Sequence, residues 1–394
     1  MLILLFIVRT TIGIQYQSIA STSAFLIKDL GINNTQLGTL IGLYQAAGIL
    51  LAFPGGVLGR RYGEKKVASL GLLLMTLSGA LMAISGSILG ITIGRFLCGI
   101  GAGLLGTVLT TMCMDWFTGK EIVASMAIFV SSWPFGLSIG LVLLSIVAQS
   151  TSWQMSFYLV SALSIASLLL VQLYKPAGPE AKLQTEGFKL SFNKIDFSLL
   201  FLAGGVWALF NVGFVIVPSF GPGYLRSLGF SLVDASYLAS VVTWVVTPAL
   251  MIGGYFSGKI GRPNLIMISS FLGIAIVMVL LPYMSSFLLP FLVLGLLFGA
   301  PAGLIMALPS EVLKRENRGP GMGVFQTVAT AGQTFLPVVA GYLQDATGNN
   351  GVSLTYGGVC LALAVVFLLA FRVIQGRVKG GVVSNFLIHA SVNR

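Results

Sequence analysis

Charge is what this sequence has least of. Only 8% of its 394 residues are charged, against about a quarter in ordinary soluble domains. So little charge cannot cover a water-facing surface, which excludes an ordinary soluble enzyme, a nucleic-acid binder and a disordered scaffold. Acids are scarcer than bases, 11 against 22, and all eleven fall in loops or at helix ends. Histidine occurs once, at His389 in the C-terminal tail. No His/Cys/Asp/Glu cluster or paired carboxylates in the apolar runs could hold a catalytic metal or do acid–base work. Cys98, Cys113 and Cys360 lie inside apolar runs without metal-ligand spacing, and no disulfide framework is expected. A GxxxxGK[ST] loop is missing too, so this chain is not expected to pump with ATP. No cofactor or metal is implied, and the chain is expected not to be an enzyme.

What is present is lipid-compatible surface. Hydrophobic residues make up 56% and the mean hydropathy is +0.97. About 20 apolar residues span the hydrocarbon as a helix, because backbone groups in lipid must bond internally. Twelve such runs occur, at about 2–26, 35–58, 67–86, 88–114, 121–147, 154–174, 198–219, 233–257, 264–284, 287–311, 320–342 and 352–375. The first starts at Leu2 with no charged segment before it, and reads as a spanning helix, not a cleaved signal. The alternation of a β-barrel is absent.

The net charge of +11 points to anionic headgroups, since the basic residues sit in short loops. Eighteen of the 22 lysines and arginines fall on one side if the N-terminus is cytoplasmic, and only Lys28 and Arg226 on the other. That bias predicts cytoplasmic N- and C-termini in a cell membrane, bacterial inner membrane by expectation. The polar stretch 175–197 reads as a cytoplasmic linker between halves 1–174 and 198–375, with a cytoplasmic tail at 376–394.

The halves repeat. GGVLGRRYG at 55–63 matches GGYFSGKIG at 253–261, and GIGAG at 99–103 matches GAPAG at 299–303. The offsets are nearly equal and close to half the chain. Parallel six-helix repeats with substrate held between them are a transporter architecture.

These residues resemble the major facilitator superfamily over essentially the whole chain. GGVLGRRYGEKK at 55–66 is similar to that family's loop between helices 2 and 3. The resemblance assigns Gly56, Arg60, Arg61 and Gly63, with Gly254, Lys259 and Gly261 of the second copy, to gating loops. Arg60 stands where the family usually places an aspartate. RFLCGIGAG at 95–103 is similar to the helix-4 pattern of an arginine followed by glycines. SSWPFGLSIG at 131–140 resembles a degenerate proline–glycine motif. PVVAGYLQDATG at 337–348 resembles a phrase of the cyanate-, nitrate- and organic-anion-porter branches. The resemblance implies an all-α membrane protein of twelve helices in two pseudo-symmetric six-helix bundles, working by alternating access.

Charged residues within lipid are expensive and usually functional. Away from the span ends, only Arg9 and Arg95 lie within spans. A cavity with guanidinium and no acid favours an anion, which the planar fork can grip. Arg9 reads either as an anion ligand or as an arginine reaching back to the headgroups. Arg95 reads either as a substrate or coupling group or as a helix-packing anchor. Gly13 and Tyr16 share the face of Arg9, and Gln17 a neighbouring face. Gln326, Thr330 and Gln333 form one polar stripe, expected to line a cavity or meet another helix. Trp207 and Asn211 repeat the spacing on helix 7, and Trp133 beside Pro134 is a candidate pocket wall.

The reading is a monomeric secondary transporter of a small organic or inorganic anion; exchange for a counter-anion, symport with H+ and uniport are all open to it. The rivals are an exporter of hydrophobic or cationic compounds, which commonly needs an acid, an integral membrane enzyme using Asp115 or Glu311, and a transporter-fold sensor.

Overall fold

The structure is a computed structural model. It describes residues 1–117, 121–175, 194–260, 262–312 and 318–392, without the side chains at 49–50, 52–57, 60, 123, 251, 253–260, 318–320 and 378–392. Gly261 of the expected gating loops lies outside the described residues, and so do the side chains of Gly56, Arg60, Gly254 and Lys259.

The described elements are all helical. They are α1 (Leu2–Leu30), α2 (Asn34–Tyr62), α3 (Glu64–Ile84), α4 (Ile88–Trp116), α5 (Glu121–Ser150), α6 (Trp153–Val171), α7 (Lys194–Ser227), α8 (Leu232–Ile260), α9 (Pro263–Leu280), α10 (Leu288–Gly299), α11 (Ala302–Ala307), α12 (Arg318–Thr347) and α13 (Val352–Val392). A 3-10 turn, Leu308–Glu311, follows α11. Counting α10, α11 and this turn as one broken span, twelve membrane helices result. Ten segments pass as spans by length and composition among the described residues. The ten omit α2, part of whose side chains are not described, and α12, which carries Gln326, Thr330, Gln333, Thr334 and Gln344.

The sequence predicts one helix over 287–311, but the structure breaks it after Gly299. Pro301 has no N–H to continue the ladder and its ring crowds the preceding turn. The matching GIGAG in α4 lacks proline and stays helical. At α7 the reverse happens: Pro218 and Pro222 are absorbed, and the helix runs to Ser227, beyond the expected 219. Residues 194–197 of the expected linker form its first turn. The rest of that linker, 176–193, lies outside the described residues. The backbone of α13 stays helical through 376–392, part of the expected tail.

Helix ends follow local chemistry. Asn33 caps α2 in a box with Gln36, at 2.8 and 3.0 Å. The turn between α2 and α3 is made by Gly63 at φ 92°, a left-handed conformation that excludes a Cβ.

Packing repeats between the halves. In the first, α1 packs on α5 and α6, α2 on α4, and α3 on α4 and α6. In the second, α7 packs on α12 and α13, α8 on α10, and α9 on α10 and α13. The seam between halves is built by α1–α7, α2–α12 and α5–α8, and the last two pairs exchange under the same pseudo-symmetry. Small residues allow these close crossings. Gly13 meets Gly136, where an added Cβ would lie 2.9 Å from the Gly136 Cα. With Trp133 O still closer, no side chain fits at Gly13.

Here the near end of the bundle is the one bearing the N-terminus and the α2–α3 turn; the far end bears the α1–α2, α7–α8 and α12–α13 turns.

Candidate functional site

A cavity of about 300 Å³ lies at the seam. Arg9 and Ile12 reach it from α1, Tyr44, Gln45 and Gly48 from α2, and Trp133 from α5. Gln326 and Thr330 reach it from α12, so the second half contributes through that helix. One wall is the α4 face Gly99, Ala102, Gly103, Gly106 and Thr107. Its glycines fall at i, i+4 and i+7, which bares a strip of main chain to the cavity. None of the lining residues is acidic.

Arg9 is half-buried. One Nη donates to the Phe129 carbonyl at 2.7 Å, and the guanidinium lies 4.5 Å over the Phe129 ring. Both contacts hold it from the α5 side. Its other N–H groups make no bond among the described residues, and carboxylates and small oxyanions are what such a fork accepts.

Arg95 sits elsewhere. It is fully buried, donating Nε to Leu40 O at 2.9 Å, Nη1 to Gln15 O at 2.9 Å and Nη2 to Tyr16 O at 2.7 Å. Its guanidinium faces the Tyr44 ring at 4.6 Å and the Tyr16 ring at 5.5 Å. Of its two readings the geometry fits the packing anchor: it does not line the cavity, and it ties α4 to α1 and α2. The consequence for the site is indirect. Tyr44, which Arg95 backs, lines the cavity and donates to Ile12 O at 3.1 Å.

Other expected ligands divide. Gln326, Thr330 and Trp133 line the cavity with Arg9. Gln333, one turn beyond Thr330, accepts from the Gln45 amide at 3.0 Å across the seam. Tyr16 does not line it and packs edge-on to Tyr44 at 5.1 Å and to Trp133 at 5.9 Å. Gly13 is spent on the α1–α5 crossing. Trp207 stacks on Phe210 at 5.7 Å, and Asn211 donates back to Trp207 O at 2.8 Å; neither lines the cavity. Gln45 and Thr107 were not singled out from sequence, although an amide inside an apolar run signals the first.

Gln17 has a different task. It is fully buried and its amide donates to Pro218 O on α7 at 2.7 Å. The seam is shut at two further places. Ser138 on α5 donates to Thr243 on α8 at 2.7 Å. Asp345 on α12 accepts from Asn34 N and Nδ2, both at 3.0 Å, and from Thr35 N at 2.8 Å and Thr35 Oγ1 at 2.6 Å. An acid of one half thus sits on the electropositive start of a helix of the other. The Asp345 carboxyl lies past the expected span; desolvation opposes its ionisation, but the bonds from Thr35 and Asn34 outweigh that and hold it below the usual value.

Of the gating-loop residues with described side chains, Arg61 is exposed beside the Tyr62 ring, and Gly63 forms the turn. Glu311, a candidate in the membrane-enzyme reading, is instead paired with Arg372 of α13.

Two homologous helical lobes around a seam cavity, shut at one end by contacts between the lobes, define a membrane transporter of the alternating-access class. The family model described as Major Facilitator Superfamily matches residues 2–300 and 202–382, and the chain belongs to that superfamily of multi-pass transporters. It is similar to the hexuronate transporter of Bacillus subtilis (strain 168), 23% identical with 96% of each chain covered. It is also similar to the lysosomal dipeptide transporter MFSD1 of Danio rerio, 25% identical over 90% of this chain and 82% of that one. Among solved structures, a D-xylose-proton symporter shares the fold at a TM-score of 0.76 and 16% identity, covering 94% of this chain and 97% of that chain.

Proposed function

We propose that this secondary transporter carries a small carboxylate, held by Arg9 in the seam cavity. The observation that carries the reading is Arg9 itself, with unspent N–H groups in a cavity whose lining has no acid. Gln45, Thr107, Gln326 and Thr330 offer amides and hydroxyls around it, suited to a hydroxylated acid. The likeness to a hexuronate transporter supports the same chemistry, since a hexuronate is a sugar carboxylate. A dipeptide or a cationic drug would bring an ammonium group with no acid in the lining to meet it.

On this reading the two six-helix halves, 1–174 and 198–375, rock about the cavity as a monomer. The near end is cytoplasmic by its lysine and arginine bias. The end of α2 with its turn, Gly56–Gly63, and the end of α8 around 254–260 belong to the gate at that end. H+ or a counter-anion is the coupling ion, acting without a buried carboxylate on the cavity wall.

The test is uptake into proteoliposomes of labelled D-glucuronate, D-glucose and a neutral dipeptide. Glucuronate uptake is expected, with affinity falling about 10- to 100-fold in Arg9→Gln, the loss of a charge-assisted contact of about 1.4–2.8 kcal/mol. Preferred uptake of the dipeptide, or unchanged glucuronate kinetics in Arg9→Gln, would overturn the reading.

A further inference from the structure

A second cavity of about 390 Å³ lies at the far end of the same seam. Like the first it is bounded by both halves, with Ser23 of α1 and Asn34 of α2 facing Ser219 and Arg226 of α7 and Asn350 beyond α12. Ile27, also in its lining, is eighteen residues from Arg9 on α1, about 27 Å at 1.5 Å per residue. Between the two cavities stand Gln17 and Pro218, joined across the seam.

The chemistry of the first cavity recurs in the second. Arg226 is exposed, and its guanidinium forms no hydrogen bond or ion pair among the described residues. Ser219 is 2% exposed, lines the cavity, and its hydroxyl is buried without a partner. A buried hydroxyl without a partner is costly unless something fills its need. No lining residue is acidic. Asp345, next to the lining residue Gln344, commits both carboxylate oxygens to Asn34 and Thr35. By sequence, Arg226 and Lys28 are the two far-side cations of the chain, and Arg226 is the one at the seam.

We propose that this cavity is a second anion-binding site, in which Arg226 and Ser219 take a small carboxylate at the far end before the seam opens to Arg9. The inference rests on the carboxylate reading of the first cavity. A waiting site above a shut seam raises the local concentration of anion at the gate, and its attraction is screened by salt.

The test is titration of purified full-length protein with D-glucuronate in nanodiscs of zwitterionic lipid. Arg9→Gln is expected to keep one weak class of site, weakened further by 0.5 M NaCl. Arg9→Gln/Arg226→Gln is expected to lose it, and Arg9→Gln/Ser219→Ala to weaken it several-fold while Arg226 remains. Equal binding by Arg9→Gln and its Arg226→Gln double variant overturns the second site and leaves the first untouched. Absence of glucuronate binding to the unaltered protein sinks the carboxylate reading itself, and this inference with it. A lipid phosphate is the other anion a guanidinium could hold. If Arg226→Gln lowers the phosphatidylglycerol that copurifies with the protein but does not change glucuronate binding, the group serves lipid and the second site is overturned.

Discussion

The amide of Gln17 donates to the carbonyl of Pro218 because Pro222 cannot. In a continuous helix that carbonyl would accept from the N–H four residues on, and position 222 has none. A side chain from the other half supplies the missing donor. Closure also strands the Gln17 Oε1, which is buried without a partner. One gain and one loss oppose each other at the centre of the seam, as suits a contact that must break each cycle.

This predicts a coupling. In the native background Gln17→Leu leaves Pro218 O unsatisfied in the closed seam, a cost of about 1–3 kcal/mol before the relief of Oε1 is subtracted. The expected result is faster maleimide labelling of Ala24→Cys. In a Pro222→Ala background the helix supplies its own donor, and the effect of Gln17→Leu is expected to shrink. Equal effects in both backgrounds would remove Pro222 from the explanation.

Asp345 gives a prediction about pH. Its carboxyl is held below the usual value while the far end is shut. A depressed value in the closed state means the stabilisation is complete above the ordinary carboxylate range and is lost only as pH falls through the lowered one. Acidification to pH 5.5 is therefore expected to leave this latch intact. Asp345→Asn, which keeps the shape but weakens acceptance from Asn34 and Thr35, is expected to open the far end at neutral pH. Spin labels across α2 and α12 would report both; opening at pH 5.5 that Asp345→Asn abolishes would contradict the assignment.

Arg95 is expected to matter for stability more than for substrate affinity. Arg95→Lys keeps the charge but cannot reach Leu40, Gln15 and Tyr16 carbonyls together. Each charge-assisted bond lost costs about 1.5–3 kcal/mol, so a fall in melting temperature of several degrees is expected. A large loss of affinity at unchanged melting temperature would return Arg95 to the substrate.

Gln45 and Gln333 should behave as a pair. Their bond crosses the seam at 3.0 Å. A double-mutant cycle with Gln45→Leu and Gln333→Leu, read as the conformational balance, is expected to show coupling of about 0.5–1.5 kcal/mol. Simple additivity would mean that the two amides act separately.

Much of the architecture was legible because lipid leaves the backbone few choices. Twelve apolar runs became twelve spans, and GGVLGRRYG against GGYFSGKIG exposed the duplication. The break at Pro301 is readable as the one difference in kind between GAPAG and GIGAG, a proline. At the site, Arg9, Gln326 and Thr330 were legible as polar groups too costly to face lipid. Periodicity gives a face, however, and not the neighbour that face meets. Gly13 shares the face of Arg9, yet Gly136 occupies the space before it. Gln17 faces the seam at the level of a proline carbonyl that no spacing rule advertises. Arg95 was visible as a buried charge, but three main-chain carbonyls satisfy it, and carbonyls leave no mark in a sequence.

The polarity of α12 also bears on how the molecule is made. With glutamines at 326, 333 and 344, this segment is poorly suited to leave the translocon alone for hydrocarbon. It emerges well after α2, so the surface that receives Gln333 and Asp345 already stands in the bilayer when the ribosome delivers them. The order of synthesis thereby gives the wettest helix a protein partner in place of lipid.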